Sequence, residues 1–179
     1  MGVRDSSNSP RSGAGRRGFL KAAAVAGASL AGLRTARAGG SADAEAEAYR
    51  TAQQTNEATV LAFWSAWAAK DEAAILSFFD EGATWHNIPV APAIGRNAIK
   101  LLVDNFLSIF TAVNIETVTM ASFGTSVHTE RIDHFNVING KVVALPVAGI
   151  LSFKNGLICQ WNDYFDLATF EAQSGVKLG

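Results

Sequence analysis

Cysteine occurs once in the 179-residue chain, at Cys159, so no intramolecular disulfide can form and nothing points to a redox enzyme. The inward parity of Cys159 on its predicted strand makes it a buried structural thiol. Histidine is almost as scarce, and the three present do not make a metal site. His128 and His134 are six residues apart on one predicted strand, roughly 20 Å, too far to share an ion. His86 has the opposite parity from Trp85 and Asn87, and all three histidines read as surface or interface residues. No serine or cysteine has a His/Asp arrangement around it, which argues against nucleophilic catalysis. The chain also lacks a Gly-rich phosphate loop, an internal repeat and any low-complexity tract.

Long apolar runs are missing as well. The mildly apolar stretch 22–33 would span only about 18 Å as a helix, against a hydrocarbon core of about 30 Å, so no stable membrane anchor is expected. Charge of one sign is absent only on average. Residues 1–38 hold seven Lys/Arg against one acid, a net +6, while the rest holds eight basic and fifteen acidic residues, a net −7. An acidic body excludes a general nucleic-acid surface, which needs a basic face for phosphates.

The basic head reads as an export signal. "GRRGFLK" pairs Arg16 and Arg17 with Phe19, Leu20 and Lys21, the apolar stretch follows, and "ARA" at 36–38 supplies a small-x-small cleavage pattern. The division expected is a twin-arginine signal over 1–38, a linker over 39–48 and one domain over 49–179, placing the protein in the periplasm or outside the cell.

With 49% hydrophobic residues, the remainder can bury one core. Val60, Leu61, Trp64, Trp67 and Ala68 form one stripe of a first helix ending near Ala69. Asp71 is an N-cap for a short second helix carrying Ala74, Ile75, Phe78 and Phe79, ended by Gly82. A third helix is expected over 97–111, with Ile99, Leu102, Val103, Phe106 and Phe110 on one face. Strands are expected over 83–88, 115–123, 125–137, 141–153 and 157–166, with hairpin turns at Asn139-Gly140 and Asn155-Gly156. The fold class is α+β, with N-terminal helices packed on a curved sheet.

Parity on these strands exposes an anomaly. In "LICQWNDYFD", Leu157, Cys159, Trp161, Asp163 and Phe165 share one face, and only Asp163 is charged. On 125–137 the apolar face carries Val127, Phe135 and Val137 but also Thr129, Arg131 and Asp133. Asn87 shares a face with Trp85. The interior therefore holds a small polar cluster of Asn87, Arg131, Asp133 and Asp163. A buried carboxylate without a partner costs several kcal/mol, so an arginine between two aspartates is physically reasonable. These residues alone leave two readings open. One is an ion pair that sets sheet register. The other is acid–base equipment, with one aspartate ionised and one protonated, acting on a mostly apolar molecule.

"WHNIPVAPAIGR" (85–96), "TERID" (129–133) and "WNDYFD" (161–166) resemble the limonene-1,2-epoxide hydrolase family of the NTF2-like/SnoaL-like superfamily, in order over about 59–170. The resemblance implies an NTF2-like cone with an antiparallel or mixed sheet, and a homodimer. It also implies hydrolysis of a small hydrophobic epoxide in one step, without a covalent intermediate, with water as the only cosubstrate and with no metal or organic cofactor. Asp163 would be the base on water, Asp133 the acid on the epoxide oxygen, Arg131 the bridge, and Asn87 a holder of the water. Where that family has a tyrosine two residues before the asparagine, this chain has Trp85, whose indole N–H donates a hydrogen bond but cannot accept one. The alternatives are an isomerase or cyclase of the SnoaL or ketosteroid-isomerase type, and a non-catalytic carrier of hydrophobic ligands.

Overall fold

The structure, a computed structural model, describes residues 31–178, with side chains from Gly40 onward. The export signal expected over 1–38, with its Arg16–Arg17 pair, lies outside the residues described with side chains. From Gly39 on the chain forms one unit.

Helix α1 spans Ala31–Ala69. The stretch 39–48, expected as a linker, belongs to this helix, and it is exposed from Gly40 on. After Gly40 it contains mainly alanine and glutamate, strong helix formers, and nothing in it breaks the helix. Packing selects Val60, Phe63, Trp64 and Trp67, the i, i+3, i+4, i+7 row. The expected stripe is off by part of a turn: Leu61 is 52% exposed and Ala68 is also exposed, while Phe63 is fully buried.

Helix α2 (Glu72–Ser77) has the predicted cap, Asp71 accepting from the Ala74 N–H at 3.0 Å. Gly82 does not end it. The chain is already extended at Phe79, and strand β1 (Phe79–Asn87) runs through Gly82. A two-residue strand β2 (Ala93–Ile94) pairs with β1 before helix α3 (Arg96–Ile109). β3 (Phe110–Phe123) follows α3 without a loop, five residues earlier than its sequence pattern indicates. β4 (Ser126–Val137), β5 (Val142–Lys154), β6 (Leu157–Tyr164) and helix α4 (Leu167–Ser174) complete the chain.

The six strands form one sheet in the order β2-β1-β6-β5-β4-β3, antiparallel except for the parallel pair β1–β6. Asn155 and Gly156 both have positive φ, 53° and 78°, as a two-residue type I′ hairpin requires. The odd-numbered side chains of β4 and β5 are buried, as alternation predicts.

Strand β6 departs from that rule. Ser152 pairs with Gln160 but Phe153 pairs with Ile158, so Cys159 is an extra bulged residue. The bulge turns Ile158 into the core and leaves Cys159 half-buried, its thiol donating to the Ser152 carbonyl at 3.3 Å. The buried thiol expected from parity is thereby corrected.

Pro146 lies within β5 at no cost to the ladder. The Lys141 carbonyl and the Phe153 N–H both bond on the β4 side, so even positions of β5 face β6. Pro146 falls beyond Tyr164, where β6 has ended and no donor is required. At the same open edge, Gln173 of α4 accepts from the Ala144 N–H at 2.8 Å.

Candidate active site

The site begins with a missing side chain. Thr129, Gly149 and Asp163 form one cross-strand row over β4, β5 and β6. A Cβ at Gly149 would lie 2.1 Å from Arg131 Nη1, 2.8 Å from Asp163 Oδ1 and 2.9 Å from Thr129 Oγ1. The glycine is therefore the gap through which Arg131 on β4 reaches Asp163 on β6, two strands away.

Arg131 fills that gap with a fully engaged guanidinium. Nε donates to Asp133 Oδ1 at 2.8 Å and Nη2 to Asp133 Oδ2 at 3.2 Å. Nη2 also donates to Asp163 Oδ2 at 2.6 Å, and Nη1 to Thr129 Oγ1 at 3.3 Å. The Thr129 hydroxyl donates in turn to the Gly149 carbonyl at 3.4 Å. Trp64 of α1 and Trp161 of β6 lie 5.0 and 5.8 Å from the guanidinium carbon, near enough for cation–π attraction. On the far side of Asp163, the Trp161 indole N–H donates to Oδ1 at 2.7 Å.

Burial sets the electrostatics. Arg131, Asp133 and Asp163 are 1%, 7% and 4% exposed. Burial pulls the Arg131 pKa down, but Asp163 and Asp133 together raise it above its usual value, so the guanidinium stays charged. Burial pushes Asp133 up, opposed by Arg131 and reinforced by the charge of Asp163. Asp163 is also pushed up by burial, while Arg131 and the Trp161 N–H pull back. One cation between two carboxylates leaves net −1 when both are ionised and neutrality when one holds a proton. The second state is the cheaper one to bury.

Both carboxylates face a cavity of about 550 Å³, and Arg131 lies behind them. Asn87 lines the same cavity and sits in register with Asp163 on the adjacent parallel strand. The Ile88 N–H holds the end of β1 there by bonding the Asp163 carbonyl at 2.9 Å, and the Val90 N–H turns the chain away by bonding the Asn87 carbonyl at 2.8 Å. Trp85 forms a wall of the cavity. Its ring stacks on Trp161 at 4.6 Å and 3°, and its buried indole nitrogen has no hydrogen-bond partner among the described residues. The remaining walls are mostly apolar, including Phe106, Phe135 and Leu145, with α4 and the segment after it closing one side through Phe170 and Val176. Among the described residues, no three His, Cys, Asp or Glu are grouped to hold a metal ion.

The five residues singled out from sequence thus meet at one place, four on the cavity wall and Arg131 behind it. Sequence reading missed the parts that hold them: Gly149, the hydrogen-bonding role of Thr129, the Trp161 donor and the Trp64 cover. The signal for Gly149 was available, since it is an inward position without a side chain on the strand between the two that carry the charges.

Residues 60–161, more than half of the chain, match the family model described as a SnoaL-like domain. The chain belongs to the SnoaL-like domain family. Solved structures of similar shape place this SnoaL-like domain in the NTF2-like fold. A putative polyketide cyclase from Xanthomonas campestris aligns with a TM-score of 0.64 at 21% identity, over 69% of this chain and 98% of that one. An LEH-like epoxide hydrolase from M. tuberculosis aligns with a TM-score of 0.61 at 20% identity, over 68% and 90%. A hypothetical protein with a ketosteroid isomerase-like fold from Catenulispora acidiphila, in complex with trimethylamine, aligns with a TM-score of 0.60 at 23% identity, over 66% and 92%. At such identities the likeness is one of fold, and the chemistry has to be argued from the site.

Proposed function

We propose that this SnoaL-like domain hydrolyses a small hydrophobic epoxide to a vicinal diol. The observation that carries the reading is the Asp133–Arg131–Asp163 bridge, with both carboxylates on the wall of an otherwise largely apolar cavity. Ionised Asp163 takes a proton from a water held with the help of Asn87. The water oxygen forms a bond to an epoxide carbon as that carbon–oxygen bond breaks, and protonated Asp133 delivers its proton to the released oxygen. The diol leaves with Asp163 protonated and Asp133 ionised, and one proton passing between the carboxylates restores the starting state. Arg131 keeps the two carboxylates in unequal protonation states, and water is the only cosubstrate. Trp85 contributes its ring to the cavity wall while its indole nitrogen is buried away from it, so it takes no proton and leaves the water to Asn87 and Asp163.

The test is incubation of the domain with limonene oxide and styrene oxide in ¹⁸O-water. Diol carrying one ¹⁸O is expected from the native protein, with a loss of at least 10³-fold in Asp163→Ala. Labelled diol formed at the native rate by Asp163→Ala would remove Asp163 as the base.

One observation favours a second reading, an isomerase or cyclase that moves a proton beside a carbonyl. It is the replacement by Trp85 of the tyrosine that grips water in the epoxide hydrolases, in a chain that also resembles a putative polyketide cyclase. Such an enzyme would rearrange its substrate with no oxygen taken from water. We further propose that the protein is exported by the twin-arginine route and works as a homodimer through the outer face of its sheet, where Val142 and Tyr164 are 65% and 44% exposed.

A further inference from the structure

Both aspartates are buried, but the guanidinium gives two bonds to Asp133, at 2.8 and 3.2 Å, and one to Asp163, at 2.6 Å. The bridge by itself therefore leaves Asp163 with one donor fewer. A contact from outside the bridge makes up that difference. Among the described residues, Asp163 accepts one further side-chain hydrogen bond, from Trp161 Nε1 at 2.7 Å, whereas Asp133 is bonded by side chains only to Arg131.

We propose that Trp161 is a positioning residue that selects Asp163, rather than Asp133, as the carboxylate kept ionised to act as base. This rests on the hydrolase reading for its consequence in catalysis, but not for its geometry. An indole N–H can only donate, so it stabilises a carboxylate and offers nothing to a protonated oxygen lacking a free lone pair in its direction. The ring cannot easily turn away, because it is stacked on Trp85 at 4.6 Å and met edge-on by Phe63 at 5.1 Å. The bond also leaves Asp163 with one oxygen tied to Trp161 and the other to Arg131, which fixes the plane it presents to the cavity.

Few other charges compete for this carboxylate. From β4 it faces Arg131 and Asp133, and its paired positions on β5 and β1 are Gly149 and Asn87, neither of which titrates. α1 contributes Trp64, which is uncharged, and His134 acts on the Asp133 end. Loss of the indole donor removes one of the influences that pull the Asp163 pKa down, so the sign is upward.

The experiment compares native protein with Trp161→Phe, which removes the donor and keeps an aromatic, though smaller, ring, by ¹³C NMR titration of Asp-labelled samples, with Asp163→Asn and Asp133→Asn assigning the two resonances. A benzothienylalanine at position 161 provides an isosteric second variant should Phe fold poorly. Asp163 is expected to titrate at higher pH in both variants, with Asp133 shifting less. The acid limb of kcat/KM for limonene oxide should move up with it. A shift of one pH unit lowers kcat/KM about tenfold on that limb while KM changes little. An unmoved Asp163 titration in a folded variant overturns the proposal, whatever the activity. The predicted shift in a protein without epoxide turnover supports the Trp161 role and instead removes the hydrolase reading.

Discussion

A single methyl group at Gly149 is the change to which the site is most sensitive. The strand there is ordinary, so the demand for glycine comes from space rather than from backbone conformation. In Gly149→Ala the new Cβ would stand 2.1 Å from a guanidinium nitrogen already tied to Thr129, flanked by the two buried carboxylates. Either Arg131 withdraws from Asp163, leaving a buried charge poorly paired, or β5 bends away. Both are expensive. Calorimetry is expected to show a loss of about 2–4 kcal/mol for Gly149→Ala, with turnover falling by at least 100-fold. A substitution that left stability and rate near native would mean that the ion bridge is looser than its distances indicate. Residue-scale legibility divides here. Asp163, Arg131 and Asp133 stood out because a charge on an apolar face is conspicuous, whereas Gly149, an inward position without a side chain, takes on meaning only once the strands on either side of it are known.

Among the elements, α4 went unread, and its ending and beginning were both in the sequence. Asp166 caps it, accepting from the Thr169 N–H at 2.5 Å, and Gly175 ends it with φ of 72°. Reading "WNDYFD" as strand to its last residue hid the cap. The helix matters to the site because it shields the open edge of β5 through Gln173, and because Phe170 lines the cavity. Asp166→Ala is expected to cost about 1 kcal/mol, a fall of roughly 2–5 °C in Tm. It should also raise KM several-fold for a hydrophobic substrate while kcat changes less, since the carboxylates stand on β4 and β6 and the apolar wall does not. The bulge at Cys159 was illegible for another reason. An extra residue alters parity only where two strands are paired, and neither strand by itself records the mismatch.

For the whole molecule, the sheet presents two unlike faces. The inner one meets α1, α3 and the cavity, while the outer one leaves Val142 and Tyr164 in solvent. A homodimer would cover such residues, and export would deliver a chain beginning at Gly39. Both expectations are checked on protein recovered from the periplasm of an expressing bacterium. Mass spectrometry should find cleavage after Ala38, and light scattering should give twice the mass of that chain. A full-length or monomeric product would remove the corresponding proposal. Among the described residues, no helix is long and apolar enough to cross a membrane.

The sequence by itself determined the class of fold and the identity of the charged trio. Period-two and period-3.6 patterns separate strands from helices, and alternation shows which residues turn inward. Only the tertiary structure decided that these residues meet. Arg131 and Asp163 are 32 positions apart on strands that are not neighbours, and their contact depends on β5 lying between them with a glycine in the one row where a side chain would keep them apart. Strand order and register are properties of pairing, and no single segment of the chain carries them.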